Sequence, residues 1–386
     1  MSVWEALIGQ DAVVEELAHS ASDPDAMTHA WLITGPPGSG RSTAAVAFAA
    51  ALQCPDRGCG SCSVCQSARA GSHPDVDLVR SETLSYGVDD ARELVAKASV
   101  VPADAPWHIV VIEDADRLTE QAVNVLLKVL EEPPPHLVWL LCAPSPEDVL
   151  PTIRSRTRSV HLRTPSTAEV AAALQDRYGV DPAMAAFAAR ASQGHIGRAR
   201  ALATDEGARR RRQDVLRIPD GLRDLSSCFV AAEALLAMAT EDAASITDAL
   251  DVAEEEALLR AYGAGAEGVT KARFDKLSDR AVKDLRKMQA SRRKRAVRDQ
   301  LDRALVDLIT YYRDVLVLQM EAGVPLVNDE MRTQISQEAS ASTATETARR
   351  LDAIERGRLA VQANGALPLV LEGMFVEIKD PLVRLR

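Results

Sequence analysis

One segment restricts the fold more than any other. Residues 29–34, His-Ala-Trp-Leu-Ile-Thr, are an apolar run of strand length. They lead without a linker into Gly35-Pro36-Pro37-Gly38-Ser39-Gly40-Arg41-Ser42-Thr43 and then into an alanine-rich stretch reaching about Gln53. Alanine gives up no side-chain entropy in a helix, so that stretch reads as helical. Strand, glycine loop and helix in succession open a parallel α/β domain. The alternation continues. Residues 75–80 read as a short strand, 89–98 as an amphipathic helix, and 107–113 as a strand covered on both faces. In 119–130, Val123, Leu126, Leu127 and Leu130 recur at helical spacing, Thr119 is placed to cap, and Pro133-Pro134-Pro135 ends the helix. Residues 137–142 and 159–162 supply the last of about five parallel strands, complete near residue 165.

Residues 166–203 read as three short helices, broken at Gly179, Asp181-Pro182 and Gly194. From 205 onward helical periodicity dominates, weakened at 263–268, 323–325 and 365–368, and the polar stretch 336–346 reads as a loop. The expected domains are therefore 1–165, 166–205 and 206–386. With 386 residues, 47% hydrophobic and 26% charged, the chain has a globular balance, and its 4% aromatic content means cores of Ala, Leu, Val and Ile. No apolar run approaches the roughly 20 residues that span a bilayer, and residues 1–10 lack the basic-then-apolar pattern of a signal peptide. A cytoplasmic protein with no membrane partner is expected.

The net charge of −11 argues against coating nucleic acid by bulk electrostatics, but it is unevenly spread. Residues 1–165 hold 12 Lys/Arg against 22 Asp/Glu, whereas 271–303 hold 13 Lys/Arg against 5 Asp, with Arg292-Arg293-Lys294-Arg295 at the middle. That basic stretch reads either as the solvated face of a long helix or as a contact for nucleic acid or a partner.

Gly35-x4-Gly40-Arg41-Ser42 has the spacing of a phosphate-binding loop. Backbone N–H groups freed by the glycines cradle phosphate, and the following helix N-terminus adds its dipole. The candidate nucleotide contacts are Gly35, Pro36, Pro37, Gly38, Ser39, Gly40, Arg41, Ser42 and Thr43, with Ser42 where a magnesium-binding hydroxyl belongs. Arg41 stands where a lysine is expected, and a planar guanidinium does not replace a compact ammonium at a tight phosphate site. The strand 107–113 ends in Glu113-Asp114, the reverse of the Asp-Glu order in which Asp holds magnesium and Glu positions water. Asp114 is one methylene short for that role, and a shortfall of about 1 Å can cost about 10²-fold. The next strand ends at Ala143, with no polar sensor for a γ-phosphate. Poor or absent hydrolysis is the expectation.

Four of the six cysteines fall within twelve residues, as Cys54-x4-Cys59-x2-Cys62-x2-Cys65. Two-residue gaps let one turn of chain present paired thiolates, and Gly58 and Gly60 supply the freedom such knuckles need. Structural Zn2+ is the leading reading, over free thiols or a redox pair, because disulfides are rare in the cytoplasm. Cys142 and Cys228 read as small buried apolar residues.

Taken in order, Ile8-Gly9-Gln10, His29-Ala30, the glycine loop, the cysteines, Asn124-x-Leu126-Leu127-Lys128-x-Leu130-Glu131-Glu132-Pro133-Pro134 and Ile153-Arg154-Ser155-Arg156-Thr157 resemble the bacterial DNA polymerase III clamp loader, a branch of the AAA+ ATPases. The resemblance covers 1–205 and, weakly, 364–371, which is similar to the last collar helix. It implies an AAA+ P-loop domain with a parallel sheet, a three-helix lid domain and an all-α collar domain for oligomerisation. Of the three subunit types, the motor (gamma/tau) has an intact ATP site, and the delta subunit lacks both the cysteines and the Ser-Arg motif. Delta-prime keeps both with a degraded ATP site, and this sequence resembles that type. It departs in its first cysteine gap, four residues where eight is common, and in Thr157, where Cys is usual.

The resemblance implies that Arg156, beside Ser155, is an arginine finger directed at a neighbour's ATP. It also implies that Arg198 is the second sensor and that Ile8, Gly9 and Gln10 line an adenine pocket. Implied partners are the motor (gamma/tau) subunits and the delta subunit, with the sliding clamp and primed DNA reached through the assembled complex. ATP with Mg2+ is expected to bind weakly at the chain's own site. His29 and His195 read as structural. The competing readings are a motor ATPase in its own right, which Arg41, Glu113-Asp114 and Ala143 disfavour, and a zinc-knuckle nucleic-acid-binding protein using 271–303.

Overall fold

A computed structural model describes residues 2–79, 85–102, 105–262 and 271–382. The chain divides into two compact units, Met1–Thr204 and Asp205–Arg386. The first is built on five strands, β1 (Ala30–Thr34), β2 (Val76–Val79), β3 (His108–Ile112), β4 (Leu137–Ala143) and β5 (Arg158–His161), in the order β2-β3-β4-β1-β5. All pairs are parallel, with Ala30 opposite Trp139, Trp31 opposite Arg158 and Val76 opposite Ile109. The three central strands are buried at every position, as their unbroken apolar runs require, while β2 and β5 are partly exposed edges. Side chains alternate between two cores. Trp31, Ile33, Val111 and Leu140 face one side and Leu32, Val110, Ile112 and Leu141 the other.

The first core is closed by α1 (Asp11–Ser22), α2 (Arg41–Gln53) and α3 (Ser63–Ala70), and Trp31 meets Phe48 of α2 edge-on at 5.1 Å. The second is closed by α4 (Val88–Ala98), α5 (Glu120–Glu131) and α6 (Pro151–Arg154). Thr119 caps α5 as its sequence predicts, accepting from the Ala122 N–H at 3.2 Å. Three helices, α7 (Thr167–Tyr178), α8 (Pro182–Ser192) and α9 (Ile196–Thr204), complete this unit. Gly179 ends α7 in the left-handed conformation and Asp181 caps α8.

The described residues of the second unit form helices and no strand: α10 (Glu206–Leu216), α11 (Ile218–Gly221), α12 (Leu225–Ala261), α13 (Lys271–Gln319), α14 (Arg332–Ala341), α15 (Ala344–Gln362) and α16 (Leu367–Lys379). The glycine-rich interruption read at 263–268 lies outside the described residues, as does Arg80 at the end of the second strand. The loop expected at 336–346 is corrected: α14 runs to Ala341, only two residues separate it from α15, and Thr343 caps α15 through Glu346. Its polarity marks an exposed helix surface. Inside this unit Arg212 is 5% exposed, yet fully engaged by Asp307 at 3.1 Å, Glu330 at 2.9 Å and Asn328. The buried Asp314 accepts the backbone N–H groups of Val327 and Asn328 at 3.0 and 2.7 Å, fastening the segment after α13 to the helix.

The basic stretch of α13 meets acid from its own chain. Arg286 pairs with Glu255, Arg292 with Asp251 and Glu254, and Arg293 with Asp248, all on α12. These arginines are ion-paired to the neighbouring helix, neither a bare solvated face nor a free cationic surface. Lys283, Lys287 and Lys294 are exposed and make no ion pair among the described residues.

Candidate functional site: a glycine-loop cleft, a cysteine cluster and an edge arginine

The glycine loop joins the C-terminal end of β1 to α2. Gly35, Gly38 and Gly40 have φ of 155°, 82° and 98°, so other residues would be strained in the same conformations. Two of the three are also sterically required. A Cβ on Gly35 would lie 2.7 Å from the Leu162 carbonyl oxygen, and one on Gly38 would lie 2.2 Å from the His195 ring. His195 thus closes over the loop, and the Ile196 N–H donates to the Gly38 carbonyl at 3.2 Å, seating the start of α9 on it. Ser39 Oγ is buried with no hydrogen-bond partner among the described residues. A cradle fitted so closely around backbone, with an orphaned hydroxyl inside it, is chemically suited to phosphate.

The side chain at the lysine position points elsewhere. Arg41 Nη1 donates to the Gly35 carbonyl at 2.8 Å, so the guanidinium is committed to the loop's own backbone. Gly38, Gly40, Arg41, Ser42 and Thr43 line one wall of a cleft of about 810 Å3. Its other walls include Arg69 of α3, Arg177 and Tyr178 of α7, and His195 and Arg200 around α9. Arg177 donates to the Glu5 carbonyl, and Arg200 lies 5.3 Å over the Tyr178 ring. Of the acidic pair, Glu113 shares a smaller adjoining cleft with Ser42, Thr43 and Arg69, where its carboxylate and the Ser42 hydroxyl are donors suited to hydrated Mg2+. Asp114 does not line either cleft. Asp116 is raised above the ordinary carboxylate range by burial and then by the Asp114 charge beside it. Ala143 is fully buried and brings no polar group. Arg198 does not line the cleft, and Arg200, two residues further along α9, does. Gln10 exchanges hydrogen bonds with the Arg163 backbone at 2.7 and 3.2 Å, and Ile8, Gly9 and Gln10 line neither cleft.

The four cysteines converge, with all their sulfurs within 4.8 Å of one another. Cys54 Sγ is 3.7 Å from both Cys59 Sγ and Cys62 Sγ. A tetrahedral Zn2+ with bonds of about 2.3 Å needs sulfurs about 3.8 Å apart, so the donor set fits that ion. Cys54 takes its place despite the short first gap. The approach is helped by Gly58 and Gly60 at φ 98° and 77°. Hydrogen bonds from the Ser61 and Cys62 backbone hold the Cys59 thiol down at about 6, favouring the ligating thiolate. Cys142 and Cys228 are buried apart from the cluster, as expected of small apolar residues.

Arg156 lies between α6 and β5, at the N-terminal end of that edge strand, whereas the glycine loop leaves the C-terminal end of the neighbouring β1. Its Nη1 donates to the Thr152 carbonyl at 2.9 Å and to Ser155 Oγ at 3.1 Å, and its Nη2 pairs with Glu131 at the end of α5. Arg158, two residues on, sits level with Trp31, and roughly 13 Å of strand then separates that level from Gly35. The side chain therefore cannot reach this chain's own phosphate cradle. Arg158 is itself engaged, bonded to Glu16 at 2.9 Å and stacked 4.8 Å over Trp31. The sequence reading assigns no role to Arg69, Arg177, Arg200 or Glu131. All four act across elements distant in sequence, and only the i, i+4 spacing of Cys65 and Arg69 hints at any of them.

A glycine-loop cradle between a central parallel strand and its helix, under a three-helix lid, defines a P-loop domain of the AAA+ type. A family model described as DNA polymerase III, delta subunit, matches residues 9–166. The gamma/tau subunit of DNA polymerase III from Mycobacterium tuberculosis is 36% identical over 162 residues, 41% of this chain and 28% of that one. The delta' subunit from Bacillus subtilis is 31% identical over 160 residues, 41% of this chain and 49% of that one. The delta' subunit from Escherichia coli is 37% identical over 143 residues, 36% and 43% respectively. The chain spans less than half the length of each of these relatives. The likeness to DNA polymerase III subunits thus lies in the first unit, over residues 9–166. Among the described residues no helix is long and apolar enough to cross a membrane.

Proposed function

We propose that this chain is a non-motor, delta-prime-type subunit of a cytoplasmic clamp loader, acting with motor and delta subunits to place a sliding clamp on primed DNA. One observation carries the reading: the two ends of the sheet hold complementary halves of an ATPase site. At the loop end, Arg41 is turned onto Gly35, and Asp114 is short for a base. At the other end, Arg156 is half-exposed, held by Thr152, Ser155 and Glu131, and out of reach of its own cradle. An arginine so placed serves a nucleotide on another chain, where a guanidinium on the γ-phosphate stabilises the charge of the transition state. The cysteine cluster would hold Zn2+ as a structural brace.

The test is reconstitution with motor and delta subunits, clamp and primed DNA. Arg156→Ala should slow single-turnover hydrolysis at the facing motor site by about 10³-fold while assembly survives. Unchanged turnover in an intact complex rejects the role. A motor reading draws on the 36% identity to a gamma/tau subunit. ATP hydrolysis by the isolated chain, abolished by Asp114→Ala, would favour it.

A further inference from the structure

Among the cations lining the glycine-loop cleft, Arg69 stands apart. Arg41 is bonded to Gly35, Arg177 to the Glu5 carbonyl and Arg200 is stacked on Tyr178. Arg69 makes no hydrogen bond or ion pair among the described residues, yet it lines both the main cleft and the small cleft containing Ser42, Thr43 and Glu113. It is thus a cation without an ion pair among the described residues, lining the same clefts as the hydroxyls where a phosphate and its magnesium would sit, in a site whose usual cation is spent on its own backbone.

The path of the chain explains how it gets there. Helix α2 leads away from the loop for thirteen residues, about 20 Å, and ends at Cys54. The chain turns through the cysteine cluster and returns as α3, which packs Cys65 and Ala68 into the same core as the alanine-rich α2. Arg69 in the last turn of α3 is thereby brought back beside the first turn of α2. The start of α3 is made of cluster residues. Cys62 is its N-cap, accepting from the Cys65 N–H at 3.4 Å, and Cys65 lies one turn before Arg69 on the same face. Whatever fixes the four sulfurs fixes α3, and with it the guanidinium.

We propose that Arg69 is a phosphate-binding residue of the glycine-loop cleft, supplying the charge that Arg41 withholds, and that metal occupancy of the cysteine cluster is thereby coupled to binding of a magnesium–nucleoside polyphosphate. This rests on reading the cleft as a nucleoside-phosphate site and is independent of whether the chain hydrolyses what it binds. The coupling runs through a rigid helix one end of which is capped by a ligand cysteine and the other end of which touches the phosphate.

The experiment is equilibrium binding of Mg-ADP to the full chain, with zinc content and thermal midpoint measured on every sample. Arg69→Ala should weaken binding about tenfold or more, the usual effect of losing one charge-assisted hydrogen bond, with zinc and midpoint unchanged because the residue is exposed. Arg69→Lys should recover part of the loss. Arg92→Ala, an exposed arginine of α4 paired with Asp89, controls for bulk charge and should leave binding intact. Cys59→Ser, which weakens the cluster, should reduce binding similarly, and combining it with Arg69→Ala should cost little more. An unchanged constant in Arg69→Ala, an equal loss in Arg92→Ala, additive losses in the double variant, or no wild-type binding at millimolar Mg-ADP would each overturn the proposal. Hydrolysis by the wild type would instead count against the non-motor reading and leave the Arg69 comparison standing.

Discussion

Gly38 shows how closely the lid and the loop are fitted. Its φ of 82° already excludes most side chains, and a Cβ would fall 2.2 Å from His195, whose neighbour Ile196 is bonded to the Gly38 carbonyl. Gly179 has a similar φ of 62° but nothing within 4 Å of its added Cβ. The pair separates backbone strain from collision. Gly179→Ala should cost only the left-handed strain, about 1 kcal/mol. Gly38→Ala must also push His195 away and should cost about 2–3 kcal/mol, read as a lower denaturant midpoint at constant slope. Equal losses in the two variants would mean that His195 moves freely. At this scale the sequence was legible in residue types and illegible in their directions. Arg41, the reversed Glu113-Asp114 pair and Ala143 are visible as departures from a pattern. That Arg41 bonds back to Gly35 is a choice of rotamer within the loop, and that Arg69 shares a cleft with Ser42 and that Glu131 holds Arg156 depend on contacts across more than twenty residues, for which a single sequence carries no spacing rule.

Elements were easier to read than residues where one periodicity ruled them. The unbroken apolar runs of β1, β3 and β4 announce strands covered on both faces, and the capping residue Thr119 and the breaks at Gly179 and Asp181 are local chemistry. The segment 336–346 misleads because an exposed helix held mainly by one buried residue, Ile335, looks as polar as a loop. The basic run of α13 misleads differently: its partners are 31 to 45 residues away on α12. Arg292 is the pivotal member. Its side chain is 15% exposed and is shared by Asp251, itself 13% exposed, and Glu254. Removing a partly buried cation leaves two carboxylates facing each other with little water, so Arg292→Ala should destabilise the second unit by about 2–3 kcal/mol. Lys294→Ala, two residues on and without an ion pair, should stay within about 0.5 kcal/mol. Thermal unfolding of both variants checks this, and similar small shifts in each would show that the α12 pairs are screened like ordinary surface contacts.

For the molecule as a whole, each unit carries its own core: two clusters on either face of the sheet in Met1–Thr204, and one among the helices of Asp205–Arg386. A perturbation confined to one core should therefore stay within one unit. The cysteine cluster offers such a perturbation, because it is joined to the first core, through Cys54 and Cys65, and to the N-terminal segment, where the Val3 N–H donates to the Gly58 carbonyl at 3.0 Å. Four thiolates held within 4.8 Å repel one another once the cation between them is gone, so chelation must either protonate them or spread them apart. Either response loosens the end of α2, all of α3 and residues 2–6. Amide hydrogen exchange on metal-loaded and chelated protein should show faster exchange in those segments, a smaller increase in the glycine loop at the far end of α2, and no change in the long helices beyond residue 205. Uniform acceleration across both units would mean that the two cores unfold as one. No acceleration anywhere would mean that the cluster is held by its buried thiols and backbone hydrogen bonds without a metal.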